Sequence, residues 1–162
     1  MVIQIDSREK SRAITGIVAE FDRQGILHPV NKLMVGDYMN YDNPWVIVDR
    51  KQNLTELCSN VCQDHERFRR EIQRANENGI HLIFLVEHGS GIECLEDVIF
   101  WEYPRSVKRK KVGNRWAEYK TKATSGRVLY NILTTIRDKY GVEFEFCRKD
   151  ETGKKIVELL GG

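Results

Sequence analysis

Residues 35–55 read VGDYMNYDNPWVIVDRKQNLT, and the predicted fold and site both depend on this stretch. The run Asp-Asn-Pro at 42–44 predicts a turn, because Asp and Asn hydrogen-bond their own backbone and Pro cannot donate to a strand ladder. The flanking runs are therefore predicted to form a β-hairpin. Antiparallel pairing about this turn would bring Asp37 beside Val48 or Asp49.

Side chains alternate along a strand, so Asp37, Asp49 and Lys51 are predicted to share one face while Arg50 points away. Two carboxylates on a mostly apolar sheet repel each other unless a cation lies between them. Mg²⁺ or Mn²⁺ would suit this pair, because hard ions take oxygen ligands and often only one or two protein carboxylates. The Arg50 carbonyl is a further candidate ligand. The alternative, which spacing alone leaves open, is a chance Asp-x-Lys pattern.

Lys51 has a predicted role beside this metal pair. Its ammonium would hold and activate the attacking water, or would offset the charge that develops on the phosphate. Asp37, Asp49 and Lys51 together therefore predict hydrolysis of a phosphodiester.

The run Asp-Ser-Arg-Glu at 6–9 follows the first predicted strand. Asp6, Arg8 and Glu9 are thus expected at a strand end near the metal, where they would complete its inner or outer shell. The alternative is a purely structural corner, in which Asp6 is a cap and Arg8 and Glu9 form a surface pair.

Three short runs, IDSRE at 5–9, VGDY at 35–38 and VDRK at 48–51, resemble in order the signature of the XPF-type structure-specific endonucleases, a branch of the PD-(D/E)xK superfamily. This domain is also called the excision-repair cross-complementation group four nuclease domain. The resemblance covers essentially the whole chain, whose length is similar to that of stand-alone phage and bacterial members. It implies a restriction-endonuclease-like fold, hydrolysis of branched DNA at forks, flaps or junctions, a place in DNA repair or recombination, and dimers.

The chain departs from this family pattern in three places. Asp49 stands where the family usually has Glu, and it reaches one methylene less. Thr55 occupies the position of a family acid, with Glu56 next to it. The family's Asp-Gly-Arg is replaced by Asp-His-Glu-Arg at 64–67, which makes Arg67 the candidate for the arginine role.

Hydrophobic periodicity predicts a mixed α/β sheet covered by helices, a single nuclease domain over 1–162. The predicted elements, in order, are a strand at 2–5, a helix at 11–24, the hairpin, one long helix from 53 to 79, a buried parallel strand at 81–86, a short helix at 93–103, a helix at 124–140, a strand at 142–147 and a helix at 152–160. Asn53 is predicted to cap the long helix, and the helix at 124–140 is predicted to begin at the run Thr-Ser-Gly at 124–126 and to end at Gly141.

Residues 104–123 break this periodicity and are predicted to form a basic, mobile insertion. Residues 105–122 contain eight cationic side chains and a single acidic one, Glu118. This stretch therefore carries +7, and the rest of the chain −5, of the total charge of +2. Cations neutralise phosphates and aromatic rings stack on unpaired bases. The alternative is a solvated loop without specific contacts. The predicted DNA-contacting residues are Gln63, Arg67, Lys108, Arg109, Lys110, Lys111, Arg115 and Trp116.

Composition favours an ordinary globular domain, with 41% hydrophobic and 31% charged residues among 162. No basic and apolar leader and no apolar run of membrane-spanning length is present, so we expect a cytoplasmic protein of a bacterium or phage-infected cell. The four cysteines are expected to be reduced, small, buried side chains. A zinc site at Cys58, Cys62 and His65 is disfavoured because no Cys-x-x-Cys pattern is present.

The sequence therefore predicts a Mg²⁺- or Mn²⁺-dependent DNA endonuclease. The family resemblance implies a homodimer, for which we expect pairing through the last two helices and the strand between them. One alternative is a non-catalytic DNA-binding subunit, because the acid after Lys51 is missing. A second is a restriction enzyme that cuts fixed duplex sites.

Overall fold

A six-stranded mixed sheet forms the centre of the protein. The computed structural model describes residues 1–89, 91–104, 107–120 and 124–161. Its central sheet has the order β2-β1-β3-β4-β5-β8, which confirms the predicted mixed α/β fold. The strands are β1 (Ile3–Asp6), β2 (Val30–Asn31), β3 (Tyr38–Asn40), β4 (Asn43–Lys51), β5 (His81–Glu87) and β8 (Glu143–Cys147).

The β3–β4 hairpin has the predicted register. Tyr38 pairs with Val48 and Met39 with Ile47, and the register shifts at Asn40, which pairs with Asn43. The Asp37 N–H continues this pairing by donating to the Val48 carbonyl at 2.9 Å. The turn is tighter than predicted, since β4 already begins at Asn43 and includes the proline at 44.

Helices cover both faces of the sheet because successive strand residues point to opposite sides. One face packs against α2 (Leu54–Cys62), α3 (His65–Glu77) and α4 (Gly126–Tyr140), and its core includes Ile47, Phe84 and Phe144. The other face packs against α1 (Thr15–Arg23) and α5 (Thr152–Gly161). The core of this second face includes Ile5 and Val48.

The predicted long helix at 53–79 is wrong in one respect, because it is two helices. Asn53 caps α2 as expected, accepting a hydrogen bond from the Glu56 N–H. The chain then leaves helical geometry at Asp64, and α3 begins at His65. No side chain caps α3 at Asp64. After this break, Phe68 on α3 packs against Phe84 on β5, with ring centroids 4.8 Å apart.

Two shorter predicted helices also differ from the structure. The segment Ser11–Ala13 is a 3-10 turn before α1, and Leu95–Phe100 is a 3-10 helix within the predicted 93–103. At the other end, Ser125 caps α4 and Gly141 ends it at φ 70°, as predicted.

The basic segment is an antiparallel ribbon rather than an irregular loop. Its strands are β6 (Val107–Val112) and β7 (Arg115–Lys120), which pair from Val107 with Lys120 to Val112 with Arg115. Gly113 adopts φ 60° in the turn between them, a conformation that glycine allows without steric cost. The remaining residues of the predicted insertion at 105, 106 and 121–123, among them Arg105 and Lys122, lie outside the described part of the chain.

The cysteines are free, as predicted, but only some are covered. Cys58 is buried and Cys147 half-buried, whereas Cys62 and Cys94 are exposed, so the prediction of four buried side chains is wrong for two of them. Among the described residues, no helix has the length and apolarity that a membrane crossing needs.

Candidate functional site: a charged cavity at the end of the β3–β4 hairpin

A cavity of about 390 Å³ opens where β4 ends, and its lining is almost entirely polar or charged. It brings together side chains from the β1 corner, the turn before β3, the end of β4 and the two following helices. The lining residues are Arg8, Glu9, Lys10, Asp37, Asp49, Arg50, Lys51, Gln52, Glu56, Arg67 and Glu71. Six of the seven predicted catalytic residues are in this set, and Asp6 is the exception.

Asp37 and Asp49 face each other across the hairpin, as the register requires. Burial raises the pKa of Asp37 well above its ordinary value, and the negative charges of Asp49 and Glu9 raise it further. Its Oδ2 accepts a hydrogen bond from the Arg50 backbone N–H at 2.8 Å, which opposes this rise without cancelling it. The negative charge of Asp49 therefore destabilises the charged form of Asp37.

Asp49 is 4% exposed, and its Oδ1 accepts no hydrogen bond from any described residue. Burial raises the pKa of Asp49 to about 6, against the opposing effect of the Lys51 ammonium. Lys51 Nζ lies 2.6 Å from that oxygen, so the two side chains form an ion pair. A buried carboxylate is costly unless its charge is compensated, so this atom is where a further cationic ligand would be favourable.

Lys51 lies at the apolar floor of the cavity. Its Nζ is 5.6 Å from the centroid of the Phe84 ring and 6.0 Å from that of Phe68. Burial alone lowers the pKa of Lys51, but the facing Asp49 carboxylate raises it above its ordinary value. The side chain is therefore a fixed ammonium rather than a neutral amine.

Arg50 points to the opposite face of β4 and is enclosed by acids. Its Nε donates to Glu9 Oε2 at 2.9 Å and its Nη1 to Glu87 Oε1 at 3.2 Å. Tyr38 Oη also donates to Glu9, and Thr152 Oγ1 donates to Glu87. The Arg50 side chain is 2% exposed, so this network fixes Glu9 at the cavity edge and links it to the start of α5.

Asp6 is completely buried and supports the site from behind. One of its oxygens accepts hydrogen bonds from the Arg8 backbone N–H and Nε, and the other from Arg8 Nη2 and the Leu33 N–H. Although burial alone raises the pKa of Asp6, these bonds hold it below its ordinary value. Both Asp6 oxygens therefore have hydrogen-bond partners. Asp6 does not line the cavity itself but holds Arg8, which does.

Glu71 is a cavity acid that the sequence does not predict, because arginines and glutamates interleaved along one side of a helix favour a solvated face. Its Oε1 accepts a hydrogen bond from the Gly36 N–H at 3.2 Å. Gly36 has φ 63°, and a Cβ there would lie 2.5 Å from Ile47 Cγ2. Glu71 and the glycine together hold the turn that presents Asp37, an arrangement that no local pattern reveals.

Glu56 stands next to the position of the missing family acid and does reach the cavity. Its carboxylate accepts a hydrogen bond from the Gln52 N–H at 2.7 Å, while its own N–H donates to Asn53 Oδ1. This reciprocal arrangement at the start of α2 resembles a capping box. Glu56 therefore contributes negative charge near Asp49 and is also committed to the helix start.

The predicted DNA-contacting residues fall in three places. Arg67 lines the cavity, whereas Gln63 is exposed at the end of α2 and does not. The others lie on the ribbon, which supplies none of the described lining residues. Arg109, Lys110, Lys111, Arg115 and Trp116 are exposed there, and Lys108 is placed in β6 by its backbone.

The residues present suit a hard divalent cation. The carboxylates of Asp37 and Asp49 supply the oxygen donors that such ions prefer, and Asp49 Oδ1 lacks a hydrogen bond. No cluster of three or more His, Cys, Asp or Glu side chains in metal-binding geometry occurs in the described ranges. The protein donors would then be two carboxylates, a number common for Mg²⁺ sites completed by water and substrate phosphate.

Comparison with solved structures shows a shared fold. The structure of XPF from Aeropyrum pernix superposes with a TM-score of 0.64 at 16% sequence identity, and that of XPF from Aeropyrum pernix in complex with DNA with a TM-score of 0.63 at 18%. Each alignment covers 99% of this chain and 63% of the relative, so the chain spans less than two thirds of those proteins.

Comparisons at the level of sequence agree with the fold. A search of curated proteins found no match. The family model of the ERCC4 domain, in contrast, matches residues 5–159, which is nearly the whole chain and includes every residue of the cavity. The chain belongs to the ERCC4 domain family.

Proposed function

We propose that this protein is a Mg²⁺- or Mn²⁺-dependent endonuclease that hydrolyses phosphodiester bonds in branched DNA. The observation that carries the proposal is the half-buried Asp37 together with the buried Asp49, whose Oδ1 lacks a hydrogen bond and lies beside the Lys51 ammonium. Membership in the ERCC4 domain family supports a DNA nuclease or repair domain, and one structural relative was solved with DNA.

In this proposal Asp37 and Asp49 hold the cation, with the Arg50 carbonyl as a further candidate ligand. When bound, the ion would act as a Lewis acid at the scissile phosphate. The Lys51 ammonium stabilises negative charge that develops on the phosphate and orients the attacking water, because it is held over an apolar floor. A charge in such a site is more effective than one in open solvent.

The remaining cavity residues orient the substrate. Arg8 and Arg67 line the cavity, and a guanidinium group recognises phosphate through hydrogen bonds. Glu9 is held at the edge by Arg50 and Tyr38. We propose that Glu9 fixes the negative potential around Asp37 and that the two arginines position the DNA backbone.

Binding of the rest of the DNA is assigned to the ribbon and to Gln63. The cations of the ribbon neutralise backbone phosphates, and Trp116 offers an aromatic face for an unpaired base. The ribbon carries no acid in its described part other than Glu118, which pairs with Arg109 at 3.0 Å. Its remaining cations are therefore available to phosphates.

We also propose that two copies of the chain pair through α4, β8 and α5. Val128 on α4 is 48% exposed although it is apolar, which is consistent with a surface that a second copy covers. Light scattering at micromolar concentration tests this pairing. A dimer mass supports it, and a monomer mass at all concentrations contradicts it.

A second candidate function is a non-catalytic DNA-binding subunit. It is favoured by Thr55, which occupies the position of the family acid, and by the commitment of Glu56 to the start of α2. The retention of Asp37, Asp49 and Lys51 in one cavity favours the enzyme.

The deciding experiment is cleavage of labelled fork and linear duplex DNA with Mg²⁺, Mn²⁺ or EDTA. We expect metal-dependent cutting of the fork and a loss of at least about 100-fold for Asp49→Asn, because a metal ligand contributes several kcal/mol to the transition state. Asp150→Asn, which removes an exposed acid, is the matched control and should cut normally. DNA binding without cutting in every lane would favour the subunit, and cutting at fixed duplex sites would favour a restriction enzyme.

A further inference from the structure

The β6–β7 ribbon lies outside both hydrophobic cores. Within the described residues its strands pair with each other and with no third strand, and every residue from Arg109 to Tyr119 is exposed. An isolated two-stranded hairpin is only marginally stable in water. A ribbon with this much exposed surface is therefore best explained if a partner covers it.

The register of the ribbon places cations on both of its faces. Residues directly opposite each other share a face, so Lys110 and Arg115 lie on one face together with Val112 and Ala117. The other face carries Arg109, Lys111, Trp116 and Glu118. Among the ribbon side chains whose exposure the structure describes, each face thus holds two cations, of which Arg109 is paired with Glu118 at 3.0 Å, and both faces are exposed.

Each face also exposes an apolar side chain near the turn. Trp116 is 68% exposed beside Lys111, and Val112 is 62% exposed opposite Arg115. Both lie within a few residues of Gly113, at the end of the ribbon furthest from the two linking segments. The combination of cations and a free aromatic face near a tip suits nucleic acid, because phosphates and bases are met together there.

A ribbon that rests on one side of a duplex needs cations only on the side that meets the DNA. Cations and an exposed apolar side chain on both faces fit a polyanion that lies on both sides. We propose that the ribbon inserts between two arms of a branched DNA, each face contacting the backbone of one arm, with Trp116 stacked on a base at the branch point. The inference rests on the proposed function and adds the structural basis for a preference for branched DNA.

The test compares binding of a fork and a linear duplex of equal length by fluorescence anisotropy in EDTA, so that cleavage plays no part. One variant, Lys110→Ser with Arg115→Ser, removes the cations of the first face, and the other, Arg109→Ser with Lys111→Ser, those of the second. On the fork we expect each variant to bind about 10-fold more weakly and to lower the salt slope by about 2. On the duplex we expect less than about a threefold change.

The aromatic contact has its own matched pair of variants. Trp116→Ala should weaken fork binding by about 10-fold, because stacking on a base is lost. Trp45→Ala removes a tryptophan that is also exposed, 62%, but lies at the start of β4, and it should bind like wild type. Circular dichroism checks that each variant retains the fold.

The outcomes separate the inference from the function on which it rests. Equal losses on fork and duplex would place the ribbon in a duplex groove, and a loss from one face alone would mean one-sided contact. Either result overturns the insertion between arms, as does the absence of any loss, while leaving the nuclease proposal intact. A wild-type protein that binds neither DNA would overturn both.

Discussion

The buried charged side chains on the two faces of β4 differ in their hydrogen bonding. On one face Arg50 donates hydrogen bonds to Glu9 and Glu87, which in turn accept from Tyr38 and Thr152. On the other face Asp49 keeps an oxygen without a hydrogen bond although it is just as buried. Since these residues are neighbours in sequence, their environments, rather than their depth, distinguish structural charge from charge available for a ligand.

This difference explains why the site is placed where it is. The Arg50 face packs under α1 and α5 and fixes the end of β4, so the backbone that carries Asp49 and Lys51 is held by an internal network. The opposite face opens into the cavity, where burial raises the pKa of both Asp37 and Asp49 and the charge of Asp49 raises that of Asp37 further. On one face of β4 the buried charges have hydrogen-bond partners, and on the other a buried carboxylate is available to a ligand. A rigid strand of this kind provides the preorganised geometry that catalysis needs.

The largest effect on stability is expected from removing Arg50 from its hydrogen-bond network. Arg50→Met would leave Glu9 and Glu87 without their guanidinium, and removing one partner of a buried charge network costs about 3–5 kcal/mol of unfolding free energy. Arg148→Met is the control, because Arg148 also pairs with two acids but is 61% exposed, and it should cost less than about 1 kcal/mol. Urea unfolding measures both. Similar losses for the two variants would contradict the assigned difference.

A smaller change in stability, of opposite sign, is expected from removing a charge on the cavity face of β4. Asp37→Asn removes one of the two facing charges and its Oδ1 can still accept the Arg50 N–H, so in EDTA at about pH 8 it should stabilise the fold by about 0.5–2 kcal/mol. The same variant should lose cleavage activity. Thermal unfolding monitors the gain, and a destabilised Asp37→Asn would show that the carboxylate pair is not strained.

The sign of the pH dependence follows from the raised pKa values. In the folded protein Asp37 and Asp49 titrate above their unfolded values, Asp49 at about 6. Both groups therefore contribute stability in full below about pH 4. The contribution of Asp49 is lost as the pH rises through about 6, and that of Asp37 as the pH rises through its own raised pKa. The advantage of Asp37→Asn should thus vanish near pH 4. An advantage that is constant with pH would point to packing instead.

The smallest effect is expected for Glu87→Gln. Glutamine has the same shape, and its Oε1 still accepts from Arg50 and Thr152, so the change should be below about 1.5 kcal/mol. Glu87→Leu removes both acceptors and should cost distinctly more by the same urea measurement. Equal costs would mean that the charge of Glu87, rather than its hydrogen bonds, fixes Arg50.

Much of this site could be predicted because it depends on local rules. The strand period of two places Asp49 and Lys51 opposite Arg50, and the turn near 42 sets Asp37 against Asp49. The same rules locate Asn53 as a helix cap and Gly141 as a helix end. Such features follow from nearest neighbours in sequence, so a single chain is enough to predict them.

The rest depends on distant contacts. Glu71 reaches the cavity only because α3 packs beside the turn at Gly36. The break between α2 and α3 at Asp64 could not be predicted from a cap, because no side chain caps α3 there. The partners of Arg50 come from positions 9 and 87. The ribbon differs from these cases, because its two-residue Gly-Asn turn at 113–114 is a local hairpin signal. The flanking residues are mostly charged, however, and show no alternation of apolar and polar positions that would predict strands.

Thermal unfolding with and without Mn²⁺ at about pH 8 tests the central claim, that Asp37 and Asp49 tolerate their shared burial because they bind a divalent cation. Saturating Mn²⁺ should raise the Tm of wild type and of Asp150→Asn, and should leave Asp37→Asn and Asp49→Asn unchanged, since a ligand stabilises only the state that binds it. An equal rise in all four proteins, or none in wild type, would contradict the claim.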